Sequence, residues 1–215
     1  MADTNAVQGM ARYGINPQNN LGVSIYKLRP LAKEIGTNHQ LALQLWDSGI
    51  HDARLLAVLL DDPTQVTSEQ MDQWAKDFNS WDVCDQACTS LFDQTKYAWK
   101  KVFEWAKRDE EFVRRAAFSL VAGLAVHDKT AADKQFENVF PLMKRYAVDE
   151  RNYVKKAVNW ALRNIGKRNQ TLNKKAIWCA QEIMEIDSSS ARWIARDALR
   201  ELSSEKIQTR LVRKK

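Results

Sequence analysis

Glycine and proline are scarce, with seven and four in 215 residues. An all-β chain of this length needs more turn residues, so the shortage points to helices joined by short loops. Cysteine is scarcer still. Cys84, Cys88 and Cys179 make an odd number with no CxxC pair. That argues against a disulfide framework and against a zinc site, and it fits a reducing cytosol. No run approaches the roughly 20 apolar residues that span a membrane. The opening "MADTNAVQGM" lacks the apolar core of a signal peptide. Histidine is limited to His39, His51 and His127, at or near loop ends and without ligand spacing, so neither a metal nor a histidine-based enzyme is indicated. No GxxxxGK[ST] or GxGxxG is present, so no cofactor is expected.

What remains is apolar and charged: 45% and 28% of residues. That composition builds a folded core. The net charge of +6 is unevenly placed. From Pro141 to Lys215 there are 18 Lys/Arg against 8 Asp/Glu, a balance of +10, so the first 140 residues carry −4. A basic C-terminal third suits a polyanion, most simply nucleic acid. The same charges would also serve as a solvated face, as would the tail "TRLVRKK".

Helical spacing runs from Ser24 onward. It predicts helices near 24–35, 38–48, 50–61, 67–79, 81–92, 95–107, 110–126, 131–146, 150–166, 171–186 and 190–202. Gly9, Gly14, Pro17 and Gly22 leave residues 1–23 loosely structured in this reading, and Pro30 should kink or shorten the first helix. The second helices of successive pairs look alike: "DARLLAVLL" from Asp52, "CDQACTSLF" from Cys84, "VRRAAFSLV" from Val113, "VKKAVNWAL" from Val154 and "IARDALREL" from Ile194. Their small residues recur at roughly 30–40 residues, the period of HEAT-type helical pairs. The expectation is an all-α fold over 1–215, a single domain. It is a right-handed α-solenoid of antiparallel HEAT-like helix pairs with a concave face suited to a duplex.

If the repeats stack in register, Asp85, Arg115 and Trp160 come together, with Trp81 beside them. Aromatic faces suit a sugar or base, and an arginine can fork onto a phosphate. A carboxylate beside DNA is costly and needs a reason. "SWDVCD", "RRAAF" and "KKAVNWALR" resemble, in order, segments of the HEAT-like alkylpurine DNA glycosylases, the AlkD family. "MARY", Met10 to Tyr13, is also similar to a family segment that carries a substrate-facing tyrosine. The match runs from about Met10 to "RWIARDALREL". The resemblance implies Asp85 as the catalytic carboxylate, Trp81 and Trp160 as cradles for the lesioned nucleotide, Arg115 as a DNA contact and Tyr13 as a weaker carry-over. It implies excision of N3- or N7-alkylated purines from double-stranded DNA, with no metal or cofactor.

The likeness departs at the N-terminus. The family carries a further helix ahead of "MARY", whereas nine residues precede Met10 here. Two functions therefore stay open: excision of cationic purines, and non-catalytic binding of distorted or branched DNA. A protein-binding solenoid is a third, opposed by the tryptophans, Arg115 and the basic third. Each residue also has a plainer reading. Trp81 would staple a helix start, with Asp82 suiting the helix dipole. Trp160 would be core, Arg115 a surface ion-pair partner and Asp85 a helix-surface acid. Trp46, Trp74, Trp99, Trp105, Trp178 and Trp193 are assigned to packing between pairs. A monomer in a bacterial cytoplasm, at the nucleoid when DNA-bound, fits all of this.

Overall fold

Apolar residues at three- and four-residue spacing become helices in the computed structural model, which describes residues 2–213. Among the described residues there are fourteen α-helices, one 3-10 turn and no strand. Lys214 and Lys215 of the basic tail lie outside the described residues. The chain divides into two compact units, Met1–Lys101 and Val102–Lys215, where the repeat pattern alone draws one continuous domain.

In the first unit, α2 (Ile25–Ile35) and α3 (His39–Asp47) pack on α4 (His51–Leu60), and α4 packs on α6 (Trp81–Ser90). The core is aromatic: Trp46 stacks on Trp74 with ring centroids 3.9 Å apart, and Phe78 and Phe92 close around them. In the second unit, α8 (Glu111–His127) packs along α11 (Asn152–Gly166). α11 in turn packs on α12 (Gln170–Met184) and α13 (Ser189–Leu202). Small residues face these contacts. Ala116, Ala117, Ala157, Ala161, Ala195 and Ala198 are all fully buried, which lets the axes approach closely.

The repeat period is written into the polar contacts. In the first unit, Trp46 bonds Asp77 and His51 meets Asp82, each pair 31 residues apart. In the second unit, Arg115 bonds Tyr153, Asn159 bonds Asp197 and Arg163 bonds Glu201, each 38 apart. Equivalent positions of successive repeats therefore touch one another, as stacked helical pairs require.

Several boundaries differ from expectation. Residues 131–146 form two helices, α9 (Asp133–Glu137) and α10 (Phe140–Tyr146). Pro141 occupies the first turn of α10, where a missing amide costs nothing. Pro30 neither shortens nor splits α2. The carbonyl it leaves unbonded belongs to Tyr26, on the same exposed face. A short α14 (Glu205–Val212) follows Leu202, beyond the last predicted helix.

The largest departure is the N-terminal segment, which is not loose. Thr4–Arg12 forms α1, with the Asp3 carboxylate capping the Ala6 amide at 3.0 Å. Residues 15–24 are then tied down by long-range bonds. The buried Asp52 carboxylate accepts the Leu21 and Val23 amides, both at 2.6 Å. The Asn16 amide donates to Ser80 Oγ at 3.2 Å, and the Asn19 carbonyl accepts from the His51 amide at 2.8 Å. Gly22 sits at φ +79°, and a Cβ there would lie 2.7 Å from the Asp3 carbonyl, so only glycine lets α1 close onto the strap. Counting breakers misses the order of residues 15–24 because the bonds to Asp52, Ser80 and His51 join distant parts of the chain.

Candidate functional site

The site begins at the start of α6. Ser80 is the N-cap residue, and its hydroxyl donates to Asp82 Oδ1 at 2.5 Å. Asp82 Oδ2 lies 2.9 Å from Nε2 of the buried His51. Burial works to raise the Asp82 pKa, but hydrogen bonds from His51 and Ser80, the His51 charge and the Val83 amide outweigh it, so the carboxyl titrates below its ordinary value. The first acid after Trp81 is therefore structural. It ties α6 to α4 and complements the helix N-terminus.

A group ionising more readily in the folded state stabilises the fold above its unfolded pKa, and the effect disappears as pH falls through the folded pKa. Asp82 follows this sign from an ordinary value of 3.8. So does Asp149, where burial is outweighed by bonds from Arg151 and Arg114. Melting temperature should therefore be flat at neutral pH and fall once pH drops below about 4. In Asp82→Asn the fall should be shallower. Parallel pH profiles for the two proteins would remove Asp82 from this role.

Trp81 and Asp85 sit one helical turn apart on α6 and share a face. Both are half-buried. They line a cleft of about 320 Å³ whose other walls include Met10, Ile15, Val23 and Leu55. The Trp81 indole N–H donates to the Tyr13 carbonyl at 3.0 Å. This bond holds the end of α1 at the cleft, and the Tyr13 side chain is 80% exposed. The first unit thus brings Trp81 and Asp85 together in the cleft, whereas Tyr13 reaches Trp81 through its backbone carbonyl alone. The strap wall of the cleft, with Val23, Ser24 and Ile25, is the segment that Asp52 secures.

Arg115 and Trp160 lie in the second unit. Arg115, on α8, is only 6% exposed. Its guanidinium donates to the Tyr153 carbonyl at 2.7 Å and lies 5.9 Å from the Tyr153 ring. It is therefore not a solvent-facing ion-pair partner, and it joins α8 to α11. Trp160 is half-buried on α11, two turns beyond Tyr153.

Sequence reasoning passed over His51 and Asp52, which position the cleft from beneath. His51 and Asp82 stand one repeat apart, so aligning the repeats would have paired them. Trp46, Trp74 and Trp105 are buried as expected, but Trp178 is 67% exposed and Trp193 40%, the latter with the Lys155 ammonium 5.6 Å from its ring centre. Helical spacing alone does not separate them, because both stand beside buried positions on their helices. All three cysteines are buried, and burial pushes the Cys179 thiol up to about 12. Among the described residues no group of three potential ligands could hold a metal ion. No helix among them is long and apolar enough to cross a membrane.

No curated protein matches the chain. A solved structure described as a new family of proteins related to the HEAT-like repeat DNA glycosylases, with affinity for branched DNA structures, superimposes with a TM-score of 0.81. It is 19% identical and covers 98% of this chain and 91% of that one. At that identity the likeness shows the fold, a HEAT-like helical repeat. A designed armadillo repeat protein in complex with a peptide aligns with a TM-score of 0.39 at 13% identity, over 87% of this chain and 88% of its own. The family model for DNA alkylation repair enzymes matches residues 1–202, and the chain belongs to that family.

Proposed function

We propose that the protein binds double-stranded DNA as a monomer and hydrolyses the N-glycosidic bond of N3- or N7-alkylated purines. Alkylation leaves the purine cationic and weakens its bond to deoxyribose. As the C1′–N bond breaks, its electron pair leaves with the base and positive charge builds on the sugar. Water then adds at C1′ and releases a proton. A carboxylate beside the sugar stabilises the developing charge, most effectively where water is partly excluded. The observation that carries this reading is the placement of Asp85, one turn from Trp81 in a cleft with largely apolar walls. The indole face of Trp81 favours a cationic nucleotide. The Lys/Arg excess after Pro141 supplies the attraction to phosphate.

The direct test is incubation of the protein with methylated DNA and analysis of free bases, where 3-methyladenine or 7-methylguanine should appear. DNA affinity should also fall about tenfold between 50 and 200 mM salt if only two phosphates are neutralised. A flat salt response would count against a phosphate-binding surface.

A second reading is non-catalytic binding of distorted or branched DNA. Two observations favour it. The Arg115 guanidinium is committed to the Tyr153 carbonyl, with little surface left for a phosphate. The structural relative quoted above has affinity for branched DNA. Absence of released base, together with tight binding to a four-way junction, would select this reading.

A further inference from the structure

The tryptophan that packing does not explain is Trp178. It lies on the outer face of α12 with two-thirds of its surface exposed. Lys174 and Lys175 stand one turn before it, and Lys134 and Lys144 approach from α9 and α10. Together with Phe140 and Pro141 these residues line an open groove of about 440 Å³, within the range of ligand-binding clefts. Four lysines meet two glutamates there, so the groove is net positive. Both glutamates are already matched: Lys144 lies 3.2 Å from Glu182 and Lys175 lies 2.5 Å from Glu137. Lys134 is 77% exposed and only 3.9 Å from the same Glu137. Lys174 is exposed and has no acidic partner among the described residues.

A lone exposed indole is tolerated in water, but this one stands in a groove among exposed ammonium groups, where a ligand that covered it would bury apolar area. The covering group must be planar or apolar where it meets the ring and anionic where it meets Lys134 and Lys174. An acidic peptide supplies the charge but a flat face only where it also carries an aromatic side chain, and a second copy of this groove would oppose lysine with lysine. An unpaired nucleotide supplies both, a base for the indole and phosphates for the ammonium groups. A base inside a duplex presents no such face. We propose that Trp178, with Lys134 and Lys174, forms a stacking platform for single-stranded DNA. This site lies wholly within the second unit and does not depend on the reading of Asp85.

The test is binding of a dodecamer of oligothymidylate, followed by fluorescence anisotropy at low salt. Trp178→Ala should weaken binding by about fivefold or more, the loss expected for one stacked base. Trp178→Phe should keep most of the affinity. Lys134→Gln combined with Lys174→Gln should weaken binding and flatten its salt dependence. Because the ring is exposed, Trp178→Ala should melt within a degree or two of wild type. In Trp178→Ala, affinity for a blunt duplex and release of methylated bases should not change. Oligothymidylate binding that is absent in wild type, or equal in Trp178→Ala, would overturn the proposal. So would a dimer in sedimentation that Trp178→Ala dissolves, because the occupant would then be a second copy.

Discussion

Asp85→Asn should leave the protein folded and bound to DNA while lowering release of 3-methyladenine and 7-methylguanine by about 100- to 1000-fold, the cost of removing one preorganised electrostatic group at a transition state. The substitution keeps the shape of the side chain, removes its charge and replaces one acceptor oxygen with an amide donor. Packing around the half-buried position is preserved, as is the bond from Thr89 Oγ1 to the Asp85 carbonyl at 2.8 Å. Removing a negative charge beside a polyanion should hold or improve DNA affinity. Catalysis and binding therefore move apart, which no general loss of structure would produce. The readout is the single-turnover rate of base release beside a binding curve on the same duplex. Release within about threefold of wild type would take Asp85 out of the mechanism.

Asp52→Ala should lower the melting temperature by roughly 6–12 °C. Two amides, those of Leu21 and Val23, lose a charged acceptor at 2.6 Å. Bonds to a charged group are worth about 1.5–3 kcal/mol each. Leu21 is exposed and can turn to water, so about 3 kcal/mol is the fitting sum. A chain of this size shifts by about 2–4 °C per kcal/mol. Asp52→Asn keeps one acceptor and should fall between the two. Val23, Ser24 and Ile25 wall the Asp85 cleft, so the loosened strap should slow base release as well. A melting temperature within 2 °C of wild type would mean that α1 and Gly22 hold the strap without Asp52.

The twelve residues "DFNSWDVCDQAC" show how local and distant information divide. That they start a helix, with Trp81 and Asp85 on one face and Cys84 and Cys88 on another, follows from periodicity. That Asp82 pairs with a buried histidine does not, because His51 lies 31 residues away. The same holds for Arg115, whose buried bond to Tyr153 spans 38 residues.

Helix positions, the repeat period, the family likeness and the shared face of Trp81 and Asp85 were determined by the sequence alone, since they depend on neighbours within a turn or on a pattern that recurs. The tertiary structure decided the rest: the strap held by Asp52, the Asp82–His51 pair, the inward turn of Arg115 and the outward face of Trp178. A polar or aromatic side chain takes its role from whatever the stacked repeat sets opposite it, and in a helical repeat that group comes from a turn some thirty or forty residues away.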